Sequence, residues 1–155
     1  MIVDQRVPPH PSPLTPHEVK REGVALALDL GTTTLAGRLL ADDGTLLAEG
    51  RASNPQRTLG ADILTRLQRA YEGAVEELRR LLSDGLQRLV AELLAGGDCP
   101  PERIVGAAAA GNPGISHLLC GLAVKSLLFP PHRSPLRALT LIAADEFDLG
   151  LSVPL

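Results

Sequence analysis

Leu28-Asp29-Leu30-Gly31-Thr32-Thr33-Thr34 is the stretch from which the fold can be read. It closes the apolar run Val24-Ala25-Leu26-Ala27-Leu28-Asp29-Leu30, which has the length of a buried strand and stops at Gly31. A carboxylate meets a glycine and three hydroxyls in the turn that follows. Gly31 admits close approach of backbone to a ligand, and the amides of such a turn can form an anion-binding nest. Asp29 beside that nest can hold a magnesium ion, through water, because magnesium keeps several of its waters. The spacing is not that of a Walker loop, G-x-x-x-x-G-K-[ST]. A hairpin whose Asp and Thr side chains make only local turn hydrogen bonds fits the same letters.

Outward from this turn, Leu35 to Ala41 is a second apolar run, Asp42-Asp43-Gly44 is a turn signal, and Thr45 to Ala52 makes a third strand. The three form an antiparallel meander. Asn54-Pro55 ends it and the periodicity becomes helical. Ala61 to Ala70 places Ile63, Leu64 and Leu67 on one helix face. A longer helix is expected from Glu72 to Leu94, because Val75, Leu78, Leu82, Leu86, Leu89 and Leu93 recur at spacings of 3, 4, 4, 3 and 4. Glu76 and Arg80 stand in the favourable order for an ion pair four residues apart. Gly85 inside this helix costs about 1 kcal/mol against alanine, so packing must hold the stripe. Gly96-Gly97 stops the helix and Pro100-Pro101 prevents its resumption.

Ile104 to Ala110 is alanine-rich, but its length, the flanking prolines and the Gly111-Asn112-Pro113 break favour a buried strand. Ile115 to Leu122 follows as a short helix. Pro130, Pro131 and Pro135 mark a loop, and Leu136 to Ala143 reads as a last strand. Residues 1–22, with Pro8, Pro9, Pro11, Pro13 and Pro16, read as a mobile leader or linker. The order β-β-β-α-α-β-α implies a mixed sheet covered by helices.

Composition excludes several classes. With 155 residues the chain fits one domain and could bury roughly 68–70% of its unfolded surface without a metal or disulfide staple. Three aromatics (Tyr71, Phe129, Phe147) are too few for a base-stacking single-strand binder. A net charge of −3 argues against electrostatic nucleic-acid binding. No apolar stretch is long enough to span a membrane and no signal peptide is visible, so a cytoplasmic protein is expected. Cys99 and Cys120 lie 21 residues apart without a Cys-x-x-Cys pair, which argues against a zinc or iron–sulfur site within the chain. A reduced pair is expected, with a disulfide open. The four histidines are scattered, and none is paired at ligand spacing.

Asp29-Leu30-Gly31-Thr32-Thr33-Thr34 between two apolar strands resembles the first phosphate motif of the acetate-kinase, sugar-kinase, heat-shock-chaperone and actin superfamily. Three pieces in order are similar to the ATPase domain of reductive activators of corrinoid-dependent methyltransferases and their ferredoxin-fused relatives. They are Leu28 to Thr34; Asn54-Pro55-Gln56 with Gly60-Ala61-Asp62-Ile63-Leu64-Thr65-Arg66; and Gly111-Asn112 with His117-Leu118-Leu119-Cys120-Gly121-Leu122. The resemblance covers about Val24 to Phe129 and implies one ribonuclease-H-like half of an actin-like ATPase fold. It divides the chain into a leader (1–22), a nucleotide-binding half-domain (23–128) and a Pro-rich closing segment (129–155).

The resemblance further implies ATP and magnesium in a cleft between two such halves. Asp29, Gly31, Thr32, Thr33, Thr34 and Gly111 would hold the phosphates, with Asp29 on the magnesium side. Asp62 and Asn112 would face the cleft as catalytic residues. Asp62 is equally expected as a helix-dipole residue in a first turn, and Asn112 as a turn residue after a strand. The superfamily's second phosphate loop and glycine-rich adenosine motif are not found in these residues. Pro113 and Ile115 stand where the family usually has Thr and Met. Half an ATPase, without turnover by itself, is therefore expected. Its partners would be the second half and a corrinoid protein or ferredoxin, with a homodimer open and neither nucleic acid nor membrane. In such activators ATP hydrolysis drives a conformational change that permits an unfavourable electron transfer. A non-catalytic interaction module and a small-molecule kinase fragment of the same superfamily remain open.

Overall fold

The computed structural model describes residues 23–136 and 149–151. Three strands come first: β1 (Val24–Leu30), β2 (Thr34–Ala41) and β3 (Leu46–Ser53). Two helices follow, α1 (Ile63–Arg69) and α2 (Val75–Gly96), then β4 (Ile104–Gly111), α3 (Pro113–Leu119) and the single turn α4 (Lys125–Leu128). The leader at 1–22 and nearly all of the strand expected over 136–143 lie outside the described residues.

The sheet order is β3-β2-β1-β4. β1 pairs antiparallel with β2 and β2 with β3, whereas β1 and β4 run parallel. The meander and helical crossover are thus present, and the sheet is mixed α/β. At the first hairpin Leu30 faces Leu35 across the turn. At the second, Gly44 takes a left-handed conformation (φ 84°), and its amide donates to the Ala41 carbonyl at 2.9 Å. That geometry is open to glycine at no steric cost.

Alternation sets the core. Val24, Leu26, Leu28 and Leu30 point to one face, where Leu35 and Leu39 join them, and α2 lies across them with Leu82, Leu86, Leu89 and Leu93. Leu149 and Leu151 also belong to this core. A satellite cluster of Leu67, Ala70, Leu78, Leu118 and Val124 sits where α1 and α4 pack. The leucine stripe of α2 is buried as its spacing predicts, except that Val75 is only half-buried.

Several expectations are corrected. The long helix starts at Val75 rather than Glu72, because Ala70–Ala74 is a π-type turn with Gly73 at φ 113°. Arg80 pairs with Asp84 at 2.9 Å instead of Glu76. β4 is a strand as expected, but only its first residue, Ile104, is buried: it lies beside β1 at the end of the described sheet, and Ala108 to Gly111 are exposed. The short helix begins earlier, at Pro113, and ends at Leu119, beyond which Gly121 turns the chain at φ 61°. Pro113 occupies the first helical position, where a missing N–H breaks no helix bond. Cys99 and Cys120 are not joined in a disulfide. Among the described residues no helix is long and apolar enough to cross a membrane.

Candidate functional site

The turn from Gly31 to Thr34 lies where the parallel strands β1 and β4 end side by side, with Leu30 in register with Gly111. Open α/β sheets bind ligands at the carboxyl ends of parallel strands. The Gly31 amide closes the turn by donating to the Thr34 carbonyl at 3.0 Å. A Cβ at position 31 would stand 2.5 Å from that same carbonyl oxygen, so only glycine fits. The constraint at Gly31 is therefore the chain's own backbone. The amides of Thr32 and Thr33 have no intramolecular acceptor among the described residues. Thr33 and Thr34 are exposed.

Asn112 is brought to this turn from 80 residues away. Its Nδ2 donates to the Thr32 Oγ1 at 3.2 Å, while its Oδ1 accepts the Ile115 amide at 3.0 Å and so caps α3. One side chain thus both caps α3 and bonds to the turn. It is a strong N-cap choice because its carbonyl oxygen satisfies a helix amide that has no intrahelical partner.

Asp62 stands just outside α1 as its N-cap, not in its first turn. Its Oδ1 accepts the Thr65 amide at 2.9 Å and its Oδ2 accepts the Thr65 hydroxyl at 2.8 Å. The backbone hydrogen bond from Thr65, and then its hydroxyl, hold the Asp62 carboxyl below the usual carboxylate range. Each oxygen keeps a further lone pair, and the side chain is exposed. No hydrogen bond joins Asp62 to the Gly31–Thr34 turn among the described residues. The two regions meet through their helices: a Cβ on Gly114 of α3 would lie 2.6 Å from the Ile63 Cγ1 of α1.

Asp29 lies one residue inside the end of β1, beside Ala36 and Ala110, with its side chain exposed on the face opposite α2. It lines a shallow groove of about 300 Å³ with Ala36, Arg38, Glu49 and Arg51. Among the described residues no group of three or more His, Cys, Asp or Glu side chains is assembled for a metal ion. Magnesium does not need one, since one or two carboxylates with substrate phosphates and waters suffice. An exposed carboxylate, unpaired amides and free hydroxyls at one strand end form a donor set that fits a magnesium-bound phosphate.

Three polar residues at this end were not legible as a unit in the sequence: Asn54, Gln56 and Arg66 are each 0% exposed. Their only signal was membership of the quoted motifs. His117, also fully buried, is a packing histidine. Its Nδ1 lies 3.1 Å from the Ala123 carbonyl and its Nε2 is 2.8 Å from the Ser134 Oγ. The carbonyl can only accept, so Nδ1 carries a proton and donates to it.

A three-stranded meander and a helical crossover to a parallel strand make a mixed α/β sheet of the ribonuclease-H-like type. The chain belongs to the family of the RACo middle region, whose model matches residues 24–153. Among solved structures it is similar to a reductive activator for a corrinoid, iron–sulfur protein, with a TM-score of 0.80 and 23% sequence identity. The match covers 86% of this chain and 22% of that one, so the chain spans about a fifth of that relative's length. No curated protein matches.

Proposed function

We propose that this chain is the first phosphate-binding half of an ATP-dependent reductive activator, acting on a corrinoid or other redox metalloprotein. The observation that carries this reading is the Gly31–Thr34 turn, with two unpaired amides and Asn112 bonded to Thr32. The relative's name supports the corrinoid target. The Thr32 and Thr33 amides and the threonine hydroxyls bind phosphate oxygens. Asp29 holds magnesium through water, and the ion supplies charge neutralisation for the phosphates. Gly111, where a Cβ would stand 3.2 Å from Leu30, lets β4 end close against β1 beside the phosphate turn, and Asn112 orients the nucleotide.

Asp62, whose carboxyl Thr65 holds below the usual carboxylate range, is a weaker proton acceptor than an ordinary aspartate. Its role is to orient a water rather than to deprotonate one. A second half would supply the remaining nucleotide contacts, so this chain alone binds weakly and does not turn over. The same reading keeps 23–128 as the half-domain, between a leader at 1–22 and a closing segment at 129–155, in a cytoplasmic protein.

Titration of the 155-residue chain with magnesium–ATP and magnesium–ADP, followed by backbone amide NMR, tests this. Shifts should centre on Gly31 to Thr34, and Asp29→Ala should weaken binding about tenfold, the scale of one charge-assisted contact. Unmoved amides at millimolar nucleotide would defeat the phosphate reading for this chain.

A further inference from the structure

Asn54 grips the turn from its buried side. Its Nδ2 donates to the Gly31 carbonyl at 2.9 Å, and its backbone amide donates to the Thr33 carbonyl at 2.8 Å. A trans peptide sets each amide opposite the carbonyl before it, so drawing the Gly31 carbonyl inward turns the Thr32 amide outward. Neither the Thr32 nor the Thr33 amide has a partner among the described residues. Asn54 is held in turn: its Oδ1 accepts the Gln56 amide at 3.0 Å. Gln56 anchors to α2 by donating Nε2 to the Leu78 carbonyl at 2.9 Å. Arg66 on α1 donates Nε to the Gly60 carbonyl at 2.8 Å and Nη1 to the Gln56 Oε1 at 3.4 Å. Its Nη2 is buried with no partner among the described residues.

We infer that Asn54, Gln56 and Arg66 are positioning residues: a buried hydrogen-bond relay that runs from α1 and α2 to the Gly31–Thr34 turn and sets its pose. Burying a guanidinium and two amides is unfavourable unless they are bonded; both side-chain amides are bonded at oxygen and nitrogen, and the guanidinium at Nε and Nη1, which restricts the arrangements open to them. A helical cap alone would need only the Asn54 Oδ1. The Nδ2 contact spans 23 residues to the turn and has no capping purpose. The relay makes the turn's geometry depend on where α1 and α2 sit. A displacement of that helical layer therefore reaches the turn through three side chains, and the reverse holds by linkage.

The turn's value as a phosphate site rests on the reading above; the relay itself does not. Hydrogen exchange on the nucleotide-free chain tests the relay directly. Asn54→Asp keeps the shape and the acceptor for Gln56 but loses the donor to Gly31, and Arg66→Lys keeps the charge but loses the reach to Gln56. Exchange at Gly31 should quicken about tenfold in Asn54→Asp and about threefold in Arg66→Lys, beyond any change at Leu26 and Leu39, whose central strands report global stability. Exposed Arg80→Ala should change neither. If Gly31 moves only in step with Leu26 and Leu39 in both variants, the relay does not position the turn and the proposal fails. Should Asn54→Asp not fold, the same ratio in Arg66→Lys decides alone.

Magnesium–ADP affinity should fall about tenfold in Asn54→Asp, as a lost donor to the turn's frame would cause. Wild-type chain that shifts no amide with nucleotide would remove the phosphate reading and leave the relay to be judged by exchange alone.

Discussion

Asp62 commits both carboxylate oxygens to Thr65, and that local bond decides how it titrates. The Thr65 amide and hydroxyl favour the ionised form, so its folded pKa lies below the unfolded one. The stabilisation is therefore present above the ordinary carboxylate range and is lost as pH falls through the folded pKa. Asp43 has the same sign, from its bond to the Thr45 amide at 2.8 Å. Asp62→Asn keeps a good N-cap oxygen but has no charge to lose. Melting temperatures at pH 7 should then be nearly equal for variant and parent. Between pH 4 and pH 2 the variant should lose less, with the Asp43 slope remaining. Parallel melting curves across that acid range would show that the cap does not carry the charge effect.

At the scale of elements, glycines let the leucines of α2 come close to the sheet. A Cβ on Gly37 would stand 2.6 Å from the Leu93 Cδ1, and one on Gly50 would stand 3.3 Å from Leu89 and Leu93. A Cβ on Gly85 would meet the Pro55 Cδ at 2.8 Å and the Leu35 Cδ1 at 3.0 Å. The proline ring cannot swing aside as a leucine tip can. Gly85→Ala should thus destabilise by about 1 kcal/mol in urea denaturation, the overpacking strain exceeding the helix-propensity gain. A more stable variant would mean that α2 shifts freely. The strands and the α2 stripe were legible because alternation and a 3–4 spacing report burial directly. The glycine at 85 looked like a propensity defect, because a sequence shows spacing along a helix but not what crosses it. Likewise the alanines of β4 read as buried, whereas Ala108 to Ala110 are exposed beside β1, since small apolar residues fit either place. Of the site, the turn and Asn112 were visible as letters. The Asn54–Gln56–Arg66 relay was not, because buried polar partners are separated by the very loops that bring them together.

Across the whole molecule the turn, the two helix caps and the relay gather at one end of the sheet, while the leucine core fills the middle. Global stability and the geometry of the turn are therefore carried by different residues. Leu89, fully buried between α2 and the sheet, touches neither the turn nor the relay by any hydrogen bond. Leu89→Ala should cost roughly 2–5 kcal/mol, a large part of the 5–15 kcal/mol typical of a domain. Under conditions where the variant stays folded, its Gly31–Thr34 amides should keep their parental positions and its nucleotide affinity should hold. Asn54→Asp should do the opposite, lowering affinity by more than its loss of stability explains. If Leu89→Ala displaced the turn amides as far as Asn54→Asp does, core and turn would form one mechanical unit. The helical layer would then act on the turn through packing as much as through the buried amides.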